Sequence, residues 1–416
     1  MVSARPFAFL LLFVCLLPAT LLAQDVRLPR ATPESVGLSS DSLANMTNHF
    51  HQLVDEGQLA GVQTAVMRHG KLALFDSYGY GNIAEKTALT NGSLFRIFSM
   101  TKPIVSVALM QLYEAGKFQL RDPLHQFLPE FKELQVYRDS VLVPAQHPIT
   151  ILDLLRHSSG YSYGRSSIPE LDAMYAEANL FAAKNNEEFI QRLSTLPLQF
   201  EPGTDWQYGV STNVCGRLIE VLSGQPLDVY LHEHILDPLG MGDTHFQVPS
   251  NKVERFTVGY GWQDSTGLTI VEPQRENRYV EEVTLLNGGG GLVSSTEDYL
   301  TFCQMLLNKG SYNGQQLLQP ATVALMLQDH CADIRQHQER LRLPYGEASF
   351  GLGFAVRGES PEALEPVFGW GGAVGTYFKI DTANNMAYVL MIQRSPYRGL
   401  GLRQLVQQYV EAAVVD

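Results

Sequence analysis

Strand-like segments lie at both ends of this 416-residue chain and enclose a middle that is mostly helical. Near the N-terminus, two short apolar runs at 61–67 and 71–75 are separated by turn residues, which is typical of a β-hairpin. Near the C-terminus, further strand-like runs are split by turns; they span 351–356, 368–372, 376–380 and 387–393. The pattern predicts one antiparallel sheet that takes strands from both ends of the chain.

Helical segments are expected to cover this sheet. Residues 101–115 are apolar on most faces, so this helix is predicted to lie buried in the middle of the protein. A second helix is expected to begin at Ser40, and residues 402–414 have an amphipathic pattern. Residues from about 115 to 285 are predicted to form a mostly helical lobe inserted in the α/β part. The predicted fold class is α+β, an α/β-type sandwich, with a ligand cleft between sheet and lobe.

Residues 1–23 have the pattern of a secretory signal peptide. Arg5 is their only charged residue, residues 7–17 form an apolar run, and Ala23 ends the segment with a small side chain. The run is shorter than the roughly 20 apolar residues that span a bilayer, and no second stretch is apolar enough to do so. We therefore predict signal cleavage and an exported domain, residues 24–416, that is periplasmic or secreted. An uncleaved anchor is the alternative.

Charge and cysteine content narrow the class of protein further. With 30 basic and 43 acidic residues the formal net charge is -13, and no Lys/Arg cluster is present, so a nucleic-acid partner is not expected. Cys15 leaves with the signal peptide, and Cys215, Cys303 and Cys331 remain among apolar neighbours without a Cys-x-x-Cys spacing. We expect buried thiols, although three cysteines also allow one disulfide. No metal site is expected.

The tetrapeptide Ser99-Met-Thr-Lys102 is the most informative candidate for a catalytic motif, because it lies where a strand-like run ends and the buried helix begins. Residues three apart share one face of a helix, so the Lys102 amine is expected to reach the Ser99 hydroxyl. A serine hydroxyl is a weak nucleophile that needs a base, and desolvation makes a lysine amine usable as one. Free N–H groups at a helix start can also stabilise an oxyanion. Alone, the motif is weak, because a helix-capping serine followed by a solvated lysine has the same pattern.

The context of this motif resembles the serine β-lactamase and penicillin-binding-protein superfamily, above all class C β-lactamases and family VIII carboxylesterases. The resemblance includes FRIFSMTKP around Ser99 and extends over roughly residues 30–412. The other segments that carry it are ATPESVGLS, ITILDLLRHSSGYSYG, EPGTDWQYGVSTNVCGRLIEVLSGQPL, DPLGMGDTHF, GGGGLVSSTEDYLTFCQMLL and FGWGGAVGTYFKID. With all of them in order, the resemblance implies that Ser99 is a nucleophile and that Lys102 assists it.

In that superfamily a second motif, Tyr-x-Asn or a relaxed version of it, places a tyrosine opposite the serine. It corresponds here to Tyr208-Gly-Val210, so the resemblance implies that Tyr208 is the general base and acid. A tyrosine has an unperturbed pKa of about 10, so this role needs a nearby cation such as Lys102. Val210, which we expect to contact the substrate, replaces the amide with which a β-lactamase holds the acyl-amide side chain of its drug.

The third motif of the superfamily, usually Lys-Thr-Gly on an edge strand, corresponds to Trp370-Gly371-Gly372. The resemblance implies that these residues bind substrate along the strand and that the Ala373 N–H completes an oxyanion hole with the N–H of Ser99. Trp370 carries no charge, whereas the lysine of penicillin-recognising members binds the carboxylate of the drug. The Trp-Gly-Gly form is similar to that of family VIII esterases.

These residues together imply a secreted or periplasmic serine hydrolase that cleaves carboxylic esters through an acyl-enzyme on Ser99, with neither a metal nor an organic cofactor. An apolar pocket for a small-molecule acyl ester is expected, lined by Trp370, Tyr208 and either Tyr161 or Tyr163. Within the superfamily, β-lactamase, D-amino-acid peptidase and acyltransferase activities are the alternatives. Outside it, the alternative is a non-catalytic ligand-binding protein that keeps the fold.

Overall fold

The computed structural model describes residues 28–166, 168–335, 349–357 and 366–415, so the predicted signal peptide lies outside the described residues. The α-helices are α1 Ser40–Asp55, α2 Thr101–Glu114, α3 Ile151–Leu155, α4 Pro169–Ala178, α5 Asn186–Leu193, α6 Ser211–Ser223, α7 Leu227–Leu231, α8 Asp237–Leu239, α9 Thr296–Leu307, α10 Pro320–Met326, α11 Ala332–Arg335 and α12 Leu402–Ala412. The strands are β1 Gly61–Arg68, β2 Lys71–Asn82, β3 Thr87–Ala88, β4 Leu94–Arg96, β5 Gln135–Arg138, β6 Val141–Pro144, β7 Gly259–Gln263, β8 Gly267–Glu272, β9 Val293–Ser295, β10 Ser311–Tyr312, β11 Gln315–Gln316, β12 Ser349–Phe350, β13 Ala355–Arg357, β14 Val367–Gly371, β15 Tyr377–Asp381, β16 Met386–Met391 and β17 Arg394–Ser395.

The main sheet takes strands from both ends of the chain, as predicted. Its order is β12-β13-β14-β15-β16-β1-β2-β3, and the neighbouring strands are antiparallel. β1 joins the two halves, because it pairs with β2 on one side and with β16 on the other. The predicted N-terminal hairpin and the α+β class are therefore confirmed.

Both faces of the sheet are buried, and the residues of β16 show why. Ala387, Val389 and Met391 belong to one apolar cluster, whereas Tyr388 and Leu390 belong to another. Successive side chains of a strand point to opposite faces, so an uninterrupted apolar run is stable only where helices cover both. α1 and α12 cover one face, and α9 packs on the other. The strongly apolar α2 is almost completely buried, as its sequence predicts.

The structure corrects two details of the strand prediction. The run at 351–356 is not one strand: the chain turns at Gly353, where φ is +95°, between β12 and β13. Within the predicted helical lobe, β5–β6 and β7–β8 form antiparallel hairpins that the sequence pattern did not reveal. Each strand of these hairpins has only four to six residues, too few for a clear alternation of apolar and polar side chains. The bounds of the lobe stay a prediction.

The three cysteines that remain beyond residue 23 are free and buried, as expected. Burial raises the pKa of Cys331 to about 12 and the pKa of Cys303 well above its ordinary value. Such thiols stay protonated at neutral pH and pack as small apolar groups. In the described part of the chain, no helix combines the length and the apolar character needed to cross a lipid bilayer.

Candidate active site

A sharp turn between β4 and α2 positions Ser99. β4 pairs with β9, which fixes the point where the turn begins. Phe98 has a φ of +44°, in the left-handed region that costs a non-glycine residue roughly 1–2 kcal/mol. The Tyr299 hydroxyl donates a hydrogen bond of 2.8 Å to the Met100 carbonyl and holds the far end of the turn. Ser99 is thereby held half-exposed directly before the first turn of α2.

Lys102 is completely buried, and its amine makes three hydrogen bonds. Its Nζ lies 3.3 Å from Ser99 Oγ, 3.0 Å from the Tyr163 hydroxyl and 2.6 Å from the Gly289 carbonyl oxygen. The amine thus reaches Ser99, as the three-residue spacing predicts. None of these partners is a carboxylate, so the site holds a buried amine without a counter-ion among the residues described.

This geometry can activate the serine. A carbonyl oxygen only accepts hydrogen bonds, so one N–H of Lys102 always points at Gly289. An uncharged amine has two N–H groups and one lone pair; with the second N–H on Tyr163, the lone pair faces Ser99. In that state the amine can take the hydroxyl proton while the oxygen attacks a carbonyl carbon.

Tyr208 contacts Lys102 through its ring. The Lys102 Nζ lies 4.7 Å from the centroid of the Tyr208 ring, which is a cation–π distance. Trp370 Nε1 donates a hydrogen bond of 3.1 Å to the Tyr208 hydroxyl, and the two rings pack with centroids 5.2 Å apart. The predicted residues Lys102, Tyr208 and Trp370 therefore come together. The phenol to which Lys102 donates is, however, that of Tyr163.

Tyr163 is the residue that the sequence analysis underrated, because it stood there only as an alternative to Tyr161. Tyr161 is completely buried and packs on Phe131 in the core, so it does not line a pocket. Tyr163 is half-buried and stacks on Phe181, which is exposed. Burial raises the pKa of Tyr163, and the charge of Lys102 opposes this shift only in part. The Tyr163 phenol therefore keeps its proton at neutral pH.

The end of β14 lies against the turn that carries the serine. A Cβ atom at Gly372 would be 2.5 Å from the Ile97 carbonyl oxygen, so only glycine fits. The Thr376 hydroxyl donates to the same carbonyl at 3.4 Å, and the Gly372 N–H donates to the Thr376 carbonyl at 2.8 Å. Ala373 follows as an exposed residue. Contact between this corner and the Ser99 turn is what an oxyanion hole built from the Ser99 and Ala373 N–H groups requires.

The buried guanidinium of Arg403 holds this corner from behind. Its Nη2 donates hydrogen bonds of 2.6 Å to the Gly372 carbonyl and 3.0 Å to the Thr376 carbonyl. A Cβ atom at Gly371 would overlap the guanidinium, so the first glycine of the Trp-Gly-Gly motif leaves room for this arginine. α12, which carries Arg403, thereby fixes the end of β14.

Two further residues beside Tyr208 are buried. Val210 is completely buried, so its side chain presents no surface to a ligand. Its predicted contact with substrate stays a prediction, and the burial of the side chain argues against it. The His157 ring lies 4.9 Å from the Tyr208 ring, centroid to centroid. Burial first, and then the charge of Lys102, holds the pKa of His157 well below its ordinary value, so this imidazole is neutral.

Among the described residues, no three or more His, Cys, Asp or Glu side chains are grouped so that they could hold a metal ion. The Lys102 amine contacts the Ser99 hydroxyl, and the Tyr163 phenol and the Tyr208 ring contact that amine. Such groups suit proton transfer and oxyanion binding.

Comparisons with known proteins agree with this fold. The model of the beta-lactamase family matches residues 46–410. An uncharacterized protein of Mycobacterium tuberculosis is 32% identical over 363 residues, covering 83% of this chain and 89% of that protein. Esterase EstB of Burkholderia gladioli is 27% identical over 393 residues, covering 88% and 94%. The solved structure of simvastatin synthase (LovD) from Aspergillus terreus superposes with a TM-score of 0.76 at 25% identity and covers 90% and 98%.

The fold and these relatives define the class of this protein as a serine hydrolase of the β-lactamase superfamily. Because the family model spans most of the chain and the mycobacterial relative is similar over more than two thirds of it, the chain belongs to the beta-lactamase family.

Proposed function

We propose that this protein is an exported carboxylesterase that works through an acyl-enzyme on Ser99. The observation that carries the proposal is the buried Lys102 amine, 3.3 Å from a half-exposed serine hydroxyl at the start of a helix. A buried amine costs folding free energy, and among the described residues this one is held against a potential nucleophile instead of a counter-ion.

The reaction has two halves. In the first, Ser99 Oγ attacks the ester carbonyl carbon while its proton passes to Lys102, and the N–H groups of Ser99 and Ala373 bind the oxyanion. The C–O bond to the alcohol then breaks, and the alcohol oxygen takes up a proton through Tyr208. In the second half a water molecule replaces the alcohol: it loses a proton through Tyr208 and Lys102, releases the carboxylic acid and restores the Ser99 hydroxyl.

An uncharged ester is the favoured substrate because the site lacks two groups that bind β-lactams in relatives. The resemblance implies that Val210 replaces the amide of penicillin-recognising members and that Trp370 replaces their lysine. The similarity to an esterase supports the same reaction class. Export rests on the signal-peptide pattern of residues 1–23.

The test is hydrolysis of p-nitrophenyl acetate and butyrate, with nitrocefin alongside, by the wild type and by Ser99→Ala. We expect ester cleavage with little nitrocefin turnover, and a loss of at least about 10³-fold in the variant. Intact-protein mass spectrometry after treatment with a phosphonate ester should show one adduct on the wild type and none on Ser99→Ala.

Other outcomes would replace the proposal. Rapid nitrocefin turnover would identify a β-lactamase, in spite of Val210 and Trp370. Ester cleavage that survives in Ser99→Ala would exclude Ser99 as the nucleophile. If the wild type shows no turnover and forms no adduct, the non-catalytic ligand-binding alternative would be favoured.

A further inference from the structure

Behind the Lys102 amine lies a pair of asparagine side chains from distant parts of the chain. Asn213 is on α6, five residues after Tyr208, and its side chain is only 4% exposed. Its Nδ2 donates a hydrogen bond of 2.7 Å to Asn287 Oδ1. The same Oδ1 accepts a second hydrogen bond of 3.0 Å from the N–H of Gly289.

These contacts fix the orientation of both amides. Because the Gly289 N–H is a donor, the Asn287 atom that faces it must be the oxygen, and Asn213 must therefore present its NH2 group to that oxygen. The backbone carbonyl of Asn287 accepts from the N–H groups of Gly290 at 3.1 Å and Gly291 at 2.8 Å. The peptide groups on both sides of Gly289 are thus held by one residue.

Only glycine fits at position 289. A Cβ atom there would overlap Asn213 Oδ1 and would lie 3.2 Å from the Tyr163 hydroxyl. The Gly289 carbonyl, in turn, accepts from Lys102 Nζ at 2.6 Å. A continuous chain of contacts therefore leads from α6 through Asn213, Asn287 and Gly289 to the amine beside Ser99.

We propose that Asn213 and Asn287 are positioning residues for the acylation step: they fix the Gly289 carbonyl, and the carbonyl fixes the rotation of the Lys102 amine. With one N–H held on Gly289 and the second on Tyr163, the lone pair of the uncharged amine faces Ser99. This inference rests on the proposed function. It also gives α6 two roles, because the helix starts three residues after Tyr208 and carries Asn213 in its first turn.

The test measures the single-turnover acylation rate with p-nitrophenyl butyrate, together with kcat, KM and the pH profile. We expect Asn287→Ala to slow acylation about 30-fold and Asn213→Ala about tenfold, with KM changed less than about twofold, because a misplaced base impairs proton transfer more than binding. Asn287→Asp keeps an acceptor oxygen for both donors, so its maximal rate should stay within about threefold of the wild type.

The pH profile separates positioning from general stability. The carboxylate of Asn287→Asp favours the protonated form of a nearby amine, so the acidic limb of the rate profile should move to higher pH. The titratable groups that face Lys102, namely Tyr163, Tyr208 and His157, are unchanged in this variant. If Asn287→Ala fails to fold, the pH profile of Asn287→Asp still tests the inference.

Asn186→Ala is the matched control. Asn186 is buried to a similar degree, at 6% exposed, and its Nδ2 donates a hydrogen bond of 2.8 Å to Glu220 on the same helix, α6. Its replacement should lower the thermal midpoint and leave the acylation rate within about twofold. Equal rate losses in Asn186→Ala and Asn213→Ala would overturn the inference, as would wild-type kinetics and pH profiles in the Asn213 and Asn287 variants. A wild type without Ser99-dependent acylation would overturn the proposed function as well.

Discussion

The two halves of the candidate site are held together by different forces. In the nucleophile half, Lys102 directs three hydrogen bonds to Ser99, Tyr163 and Gly289, so direction and distance both matter. In the aromatic half, rings pack on Tyr208 with centroids 4.9–6.3 Å apart; they belong to His157, Tyr163, Trp206 and Trp370. Hydrogen bonds depend steeply on geometry, whereas ring packing tolerates small shifts.

The two halves also differ in how completely their polar atoms are hydrogen-bonded. Every hydrogen-bonding direction of the Lys102 amine is used. In the aromatic half, neither ring nitrogen of His157 nor Nε1 of Trp206 has a hydrogen-bond partner among the described residues. The comparison leads us to expect that removal of the Lys102 amine abolishes the reaction while sparing stability, and that substitutions in the aromatic half slow the reaction to a smaller degree.

The largest effect is expected from Lys102→Met, which removes the amine and keeps the apolar stem. Hydrolysis should fall by at least about 10³-fold, because the base is lost. The thermal midpoint should stay equal or rise, since a buried amine without a carboxylate partner is replaced by an apolar side chain. Ester kinetics and thermal denaturation check both. A folded, stable variant with more than a tenth of the wild-type rate would show that Lys102 is not the base.

The next largest effects on kcat are expected from substitutions of Tyr208 and Tyr163, and the two losses should differ in size. Tyr208→Phe should reduce kcat about 10²-fold, because a phenol that transfers protons is lost. Tyr163→Phe should reduce it about tenfold, because it removes one of the hydrogen bonds of Lys102 and leaves the others. Steady-state kinetics on both variants would decide the roles: a larger loss in Tyr163→Phe would make Tyr163, the hydrogen-bond partner of Lys102, the principal proton-transfer phenol.

The tryptophans offer a matched pair within the aromatic half. Trp370 and Trp206 are 4% and 6% exposed, and both pack on Tyr208 and Phe350. Trp370→Phe also removes the donor to the Tyr208 hydroxyl, so kcat should fall about fivefold. Trp206→Phe has no such bond to lose, and kcat should change less than about twofold. Equal effects on kcat would mean that only ring packing matters in this half.

The smallest effect concerns acid stability. The pKa of His157 is depressed in the folded state, so below its unfolded value of about 6.5 the unfolded chain binds a proton that the folded chain excludes. Stability is therefore lost as the pH falls below about 6.5, and His157→Asn should make the fall in thermal midpoint between pH 7 and pH 5 shallower by a few degrees. His69→Asn is the control, because His157 and His69 both have a left-handed backbone, with φ of +62° and +53°, but His69 is exposed. Parallel curves for the wild type and His157→Asn would contradict the prediction.

Residues that are close in sequence were predictable, and long-range partners were not. The reach of Lys102 to Ser99 follows from helical spacing alone, and the hairpin of β1 and β2 follows from two apolar runs and a turn. The choice between Tyr161 and Tyr163 could not be made, because their two-residue spacing does not say which one faces the core. The contact between Gly289 and Lys102 could not be predicted, because the two residues lie 187 positions apart along the chain.

The sequence by itself determined the sheet from both chain ends, the buried helix with its Ser-x-x-Lys start, and the family resemblance, because periodicity and motif order are local properties. Only the tertiary structure decided which groups surround the amine: the Tyr163 phenol, the Gly289 carbonyl and the aromatic face of Tyr208. The physical reason is that a buried amine must find hydrogen-bond partners wherever the closed fold provides them. That choice depends on how distant segments pack against each other.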